Sequence, residues 1–311
     1  MAHSAPGRHE RKGISLVKLF EMFPDNETAE QWFVETRWPD GIRCAYCDSE
    51  NVNTKASHKT MPYRCNCCKK RFSVKTNSLM HASNISYRKW VIAVYLVTTS
   101  LKGVSSMKLH RDLDVTQKTA WYMLQRIRAF YIETHEPFDG ESEVDESYFG
   151  GKEANKHESK KLRAGRGTVG KTAVVGMKNR DTNKVQAEVV DTTDKETLQA
   201  FVVENTTPDS IVYTDEARAY SGLPREHQAV GHSVGEYVRD QAHTNGLESF
   251  WSMLKRGYTG TYHHISSKHL HRYVDEFSGR HNVRPLDTID QMAAIVRRAA
   301  GRRLPYQTLI A

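Results

Sequence analysis

All five cysteines of this 311-residue chain fall between positions 44 and 68, and that crowding limits what its first part can fold into. Cys44 and Cys47 form one C-x-x-C pair and Cys65 and Cys68 a second, with 17 residues between them. Each short knuckle presents two thiolates on one side and the intervening loop brings the pairs together, as a tetrahedral zinc ion requires. A secreted disulfide framework would instead spread its bridges through the fold. The flanking stretches "RCAYCDSENVNTK" and "YRCNCCKKRFSVKTNS" alternate short β-like segments with polar turns, so residues 41–80 read as a zinc ribbon. Four thiolates leave no open position on the metal, which makes this zinc structural. Cys67 is the spare thiol.

Lys and Arg outnumber Asp and Glu by 45 to 37, a net charge of +8 that favours a polyanionic partner, nucleic acid first. The longest near-continuous apolar run, "WVIAVYLV" at 90–97, is too short to span a bilayer, and the basic stretch 1–13 reads as a disordered tail without an apolar signal region. A cytoplasmic protein with no membrane partner is the expectation.

Residues 14–40 suggest two short helices, the second capped near Asn26 or Thr28. Residues 86–131 resemble a helix followed by a helix-turn-helix, with Ser105 or Ser106 capping one helix to about Leu113 and Thr116 capping the next to about Tyr131. On that last helix Met123, Leu124 and Ile127 can pack inward, leaving Gln117, Lys118, Gln125, Arg126 and Arg128 for phosphates or base edges. The acidic, aperiodic "ETHEPFDGESE" marks a boundary near 132–140.

From 140 to 285 the pattern becomes mixed α/β: short Val-, Ile- and Tyr-rich runs alternate with turns and one clear helix, "DKETLQAFVVEN". The link "KNRDTNK" reads as a hairpin turn, so part of the sheet is antiparallel. Residues 286–311 read as a C-terminal helical tail. Within the 140–285 region, "KEANKHESKKLRAGRGTVGK" carries Lys160, Lys161, Arg163 and Arg166 in a Gly-containing loop suited to contact a DNA backbone.

Three carboxylates stand out. In "SEVDESYFGGK" Val144, Glu146 and Tyr148 share one strand face and Asp145, Ser147 and Phe149 the other; a carboxylate such as Asp145 suits a strand poorly unless something binds it. Asp215 ends the strand-like "SIVYTD", where side chains of an α/β fold emerge into a ligand crevice. "AHTNGLESFWSMLKRG" is a helix with an apolar stripe of Leu247, Phe250, Trp251 and Leu254, and a polar stripe of Asn245, Glu248, Ser252 and Lys255 nearly opposite. Together the residues suggest two strand aspartates and one helix carboxylate converging on divalent cations, for which Mg²⁺ is the default and Mn²⁺ the substitute.

The motifs "RWPDGIRCAYC", "YRCNCCKKRFSVKTNS", "EVDESYFGGKE", "VYTDEARAY" and "HTNGLESFWSMLKRGYTGTYHHISSKHLHRYVDEFSGRHN" together resemble bacterial insertion-sequence transposases of the ISXO-like group, over about residues 15–285. The resemblance implies an N-terminal zinc ribbon, a helical DNA-binding segment and a catalytic domain of the ribonuclease H or integrase kind. It implies a transposase that binds transposon ends and catalyses metal-dependent DNA cleavage and strand transfer, acting as a homo-oligomer on double-stranded DNA at the bacterial nucleoid. Asp145 and Asp215 match the first and second catalytic aspartates. Glu248, 33 residues after Asp215, matches the third position, with Asn245 as the alternative one turn earlier. Lys255 matches the trailing base and would hold a backbone phosphate beside Arg256. At Gly279 the sequence departs from the group's pattern, which has a second aromatic there. Two other readings use the same residues: a noncatalytic zinc-ribbon and helix-turn-helix regulator, and a ribonuclease H-like nuclease without joining activity.

Overall fold

The computed structural model describes residues 11–131, 136–151, 157–161, 168–230 and 245–310. The chain divides into two compact units, one of Met1–Tyr131 with Val283–Ala311 and the other of Ile132–Asn282.

In the first unit, α1 (Leu16–Met22) and α2 (Asn26–Arg37) are the two expected helices. The α2 cap falls on Asp25, whose Oδ1 accepts the Thr28 amide at 2.8 Å. Asn26 has another role: its Oδ1 accepts the Tyr87 amide at 2.7 Å and ties α2 to a later helix. The cysteine segment folds as three short antiparallel strands, β1 (Val52–Asn53), β2 (Tyr63–Cys65) and β3 (Arg71–Phe72). Three helices follow, α3 (Tyr87–Thr99), α4 (Ser106–Leu113) and α5 (Gln117–Arg128). Ser105 caps α4 and Thr116 caps α5, and the turn between them passes through Asp114 at a left-handed φ of 47°.

The second unit is built on a five-stranded mixed sheet in the order β6-β5-β4-β7-β8. Its strands are β4 (Glu141–Phe149), β5 (Thr172–Asn179), β6 (Val185–Val190), β7 (Ile211–Asp215) and β8 (Glu226–Val230). β4, β5 and β6 form an antiparallel meander, and the β5–β6 turn passes through Asn183 at φ 58°. β7 pairs parallel to β4, and β8 parallel to β7. Side-chain alternation makes two apolar faces. Val144, Val175 and Met177 pack with Leu198 and Phe201 of α6 (Lys195–Asn205). Phe149, Val174 and Val185 pack on the opposite face with α7 (Asn245–Gly257) and α8 (Ser267–Val283). α8 runs unbroken through Gly279.

After α8 the chain rejoins the first unit as α9 (Thr288–Arg298) and α10 (Tyr306–Ile310). Met292, Ile295 and Val296 of α9 share one core with Phe33 of α2 and Trp90 and Val94 of α3. Among the described residues no helix is long and apolar enough to cross a membrane.

Candidate active site and metal centre

The Sγ atoms of Cys44, Cys47, Cys65 and Cys68 lie within 4.8 Å of one another. Cys44 and Cys68 are 3.6 Å apart and Cys47 and Cys65 3.7 Å apart. A tetrahedron with zinc–sulfur bonds of about 2.3 Å has edges of about 3.8 Å, so the set is compatible with zinc. Amide groups already point at these sulfurs: Tyr46 donates to Cys44, and Cys67 and Cys68 both donate to Cys65. Those donors pull the Cys65 thiol down to about 6, whereas burial pushes Cys44 up to about 12. Cys67 stands apart, exposed, with its Sγ 3.1 Å from Ser49 Oγ.

The second unit gathers carboxylates by strand register. Glu141, Ser142 and Glu143 of β4 pair with Ile211, Val212 and Tyr213 of β7, and pairing stops there. Continuing the same offset sets Asp145 level with Asp215, the last residue of β7. Asp215 Oδ1 accepts the Ala217 amide at 3.0 Å, which fixes its orientation at the strand end.

α7 lies against this sheet through Leu247, Phe250, Trp251 and Leu254, all buried. The close approach needs a glycine beneath it: a Cβ on Gly176 of β5 would sit 2.6 Å from Trp251 Cζ2. Trp251 also carries a polar function, since its Nε1 donates to Asp145 Oδ2 at 3.0 Å. The opposite stripe of α7 is not simply wet. Glu248, Ser252, Lys255 and Arg256 line a cavity of about 640 Å³ with Asp145 and Glu146. Asp215 is not among that cavity's lining residues, but its charge acts on both Asp145 and Glu146.

Burial, with repulsion from Asp215 and Glu248, pushes the Asp145 carboxyl up to about 6. Burial likewise raises Glu146 to about 7, even though the Tyr220 hydroxyl donates to Glu146 Oε1. A crowd of carboxylates at this cost is the electrostatic setting in which a bound cation is favourable. Among the described residues, however, only the cysteines already form a tight ligand group.

Glu143, two residues before Asp145 on the same strand face, is a site residue that sequence reasoning passed over. Its Oε2 accepts the Leu247 amide at 3.1 Å in the first turn of α7, and its Oε1 accepts Arg180 Nε at 3.0 Å. The Arg180 guanidinium lies 3.9 Å from the Tyr213 ring centroid, so β4, β7 and the start of α7 are joined through the ion pair of Arg180 with the buried Glu143 carboxylate. The available signal was a second acidic residue at spacing two in a strand.

Three of the side chains expected to meet DNA are turned inward, which corrects the reading of α5. Gln125 is fully buried, without a hydrogen-bond partner among the described residues. Arg126, also buried, donates to Leu79 O at 3.1 Å and to Tyr122 Oη at 2.8 Å. Arg128 is buried as well. An amphipathic count allows α5 one dry face, but this helix is packed on more than one side. Gln117 and Lys118 at its start are exposed. Lys161 pairs with Glu158 at 2.7 Å. Arg163, Arg166 and the side chains of Lys160 and Asn245 lie outside the described residues.

The sequence profile of the ISXO2-like transposase domain matches residues 137–282, the span that holds Asp145, Asp215 and Glu248. An uncharacterized protein in transposable element ISH50 of Halobacterium salinarum is 27% identical over 274 residues, covering 84% of this chain and 92% of that protein. An uncharacterized transposase-like protein of Haemophilus influenzae is 32% identical over 102 residues, covering 32% of this chain and 81% of that protein. With a mixed-sheet domain filling the matched span and a four-cysteine cluster ahead of it, the chain belongs to the ISXO-like insertion-sequence transposases.

Proposed function

We propose that this transposase binds the ends of its element as double-stranded DNA and catalyses metal-dependent cleavage and strand transfer at the carboxylates of β4, β7 and α7. The observation that carries the reading is the common cavity: Glu248, Ser252 and Lys255 of α7 and Asp145 of β4 face the same space. An antiparallel meander followed by two parallel strands, with helices on both faces, supports a ribonuclease H-like assignment for this unit.

Asp145, Asp215 and Glu248 are the residues that would hold Mg²⁺, or Mn²⁺ in its place, with Asn245 as the alternative to Glu248. Oxygen donors of this kind suit hard divalent cations, and the burial that pushes Asp145 up, with repulsion from Asp215 and Glu248 added to it, fits a site that gains by binding one. When bound, such ions supply charge stabilisation to both the attacking and leaving oxygens of a phosphodiester displacement. The chain's own residues do the positioning. The Trp251 indole holds the Asp145 carboxylate in one orientation, and Glu143 fixes the start of α7. Lys255 and Arg256, exposed at the cavity, attract backbone phosphate. The zinc ribbon and the α4–α5 pair hold the ends, and pairing of two ends calls for a homo-oligomer.

Asp145→Asn and Asp215→Asn are each expected to abolish Mg²⁺-dependent cutting of duplexes that carry the element's ends while sparing binding to them. Cutting by both variants at the wild-type rate would overturn the proposal. Cut ends that never join a target duplex would mark a nuclease without transfer activity.

A further inference from the structure

With Arg126 and Arg128 buried, the second half of α5 has less positive charge to offer DNA than its sequence suggests. The C-terminal tail supplies charge in the same place. Gly301, at φ 75°, turns the chain after α9, and its amide donates to Asn77 O at 2.9 Å. The tail then lies on α5. Tyr122 Oη donates to Leu304 O at 2.7 Å, the Tyr122 and Tyr306 rings meet edge-on at 5.4 Å, and Leu309 is fully buried. Lys118 Nζ sits 4.8 Å from the Tyr306 ring centroid.

This strap is strongly cationic. The sequence has no acidic residue after Asp290, yet it carries Arg297, Arg298, Arg302 and Arg303. Arg302 and Arg303 are exposed. Arg303 Nη1 lies 3.4 Å from His81 Nε2, and the charges of Arg303 and Arg126 both act on that imidazole. None of the ion pairs formed among the described residues uses Lys118, Arg302 or Arg303. Like charges gathered without carboxylates are unfavourable for folding alone and favourable beside a polyanion, and arginine is the side chain best shaped for phosphate.

We infer that Arg302 and Arg303 of the docked tail, together with Lys118 at the start of α5, form a phosphate-contacting surface for duplex DNA. The interface of this unit is then the first turn of α5 plus the tail, not the length of α5. The inference rests on the proposal that the protein binds DNA.

The test uses full-length, zinc-loaded protein and a fluorescent duplex of arbitrary sequence, with binding followed by anisotropy between about 50 and 200 mM salt. Arg302→Ala with Arg303→Ala is expected to weaken binding roughly tenfold at about 100 mM salt and to make the log–log salt slope shallower by about 1.8, close to 0.9 per phosphate contact. Arg302→Lys with Arg303→Lys keeps the charge and is expected to keep the slope, which a packing role for the guanidinium groups would not produce. Unchanged affinity and slope in the alanine variant would overturn the inference while leaving DNA binding intact. A wild-type protein that binds no duplex would instead remove the reading on which the inference rests.

Discussion

Trp251 serves two purposes, one apolar and one polar. Its ring system covers Gly176 on the sheet, and its Nε1 donates to Asp145. Gly176→Ala forces a Cβ into that ring and is expected to destabilise the unit by about 1–3 kcal/mol in chemical denaturation, with loss of cleavage beyond what the stability change explains. Asp145 can be tested alone. Its folded carboxyl stands at about 6 against an ordinary 3.8, so the folded chain holds this proton more tightly than the unfolded chain. The resulting stabilisation is present in acid and is lost as pH rises from about 4 through about 6. Asp145→Asn carries no such charge. In metal-free protein it is expected to gain on the wild type by on the order of 2 kcal/mol between about pH 4 and pH 8. A stability difference that stays flat with pH would contradict the burial argument. Sequence periodicity placed Leu247, Phe250, Trp251 and Leu254 on one buried face, as found. It had no means of showing the indole hydrogen bond, whose acceptor is 106 residues away.

Elements with a clear period or cap were legible. The helix 195–205, the β5–β6 hairpin, strands β4 and β7, and the Ser105 and Thr116 caps all follow from local chemistry. β8 was not foreseen, because "EHQAV" is a short strand beside β7 at the sheet edge and lacks an alternating apolar pattern. The inward turn of Arg126 was equally hidden, since the carbonyl that accepts its guanidinium, Leu79 O, is 47 positions away in sequence. At this scale Glu143 joins a strand to a helix. Glu143→Gln removes the buried carboxylate charge that faces Arg180 and weakens the acceptor for the Leu247 amide; Arg180 keeps Glu141, so the expected cost is about 2 kcal/mol in denaturant unfolding. A cost below about 0.5 kcal/mol would show that α7 is held by its apolar stripe alone. For the ribbon, Cys65→Ser is expected to abolish stoichiometric zinc retention and Cys67→Ser to leave it intact, as measured by metal analysis after gel filtration. Equal losses would mean that the exposed thiol is a ligand after all.

The division of the whole chain is less sequential than its motifs suggest. Residues 286–311, expected as a C-terminal helical tail, belong to the same compact unit as the cysteine segment and the first five helices. Contacts such as Tyr122 with Leu304, 182 positions apart, leave no trace in local periodicity. The central claim concerns the other unit: that Asp145, Asp215 and the first turns of α7 surround one divalent-cation site. Iron-directed cleavage addresses it without knowledge of the DNA ends, because Fe²⁺ in place of Mg²⁺ reduces added hydrogen peroxide to hydroxyl radical and hydroxide, with ascorbate returning Fe³⁺ to Fe²⁺, and the radicals cut the polypeptide only near the ion. The account predicts cuts clustered at β4 near Asp145, at β7 near Asp215 and at α7 near Glu248, suppressed by excess Mg²⁺ and lost together in Asp145→Asn. Cuts at one of these segments alone, or an unchanged pattern in Asp145→Asn, would contradict it.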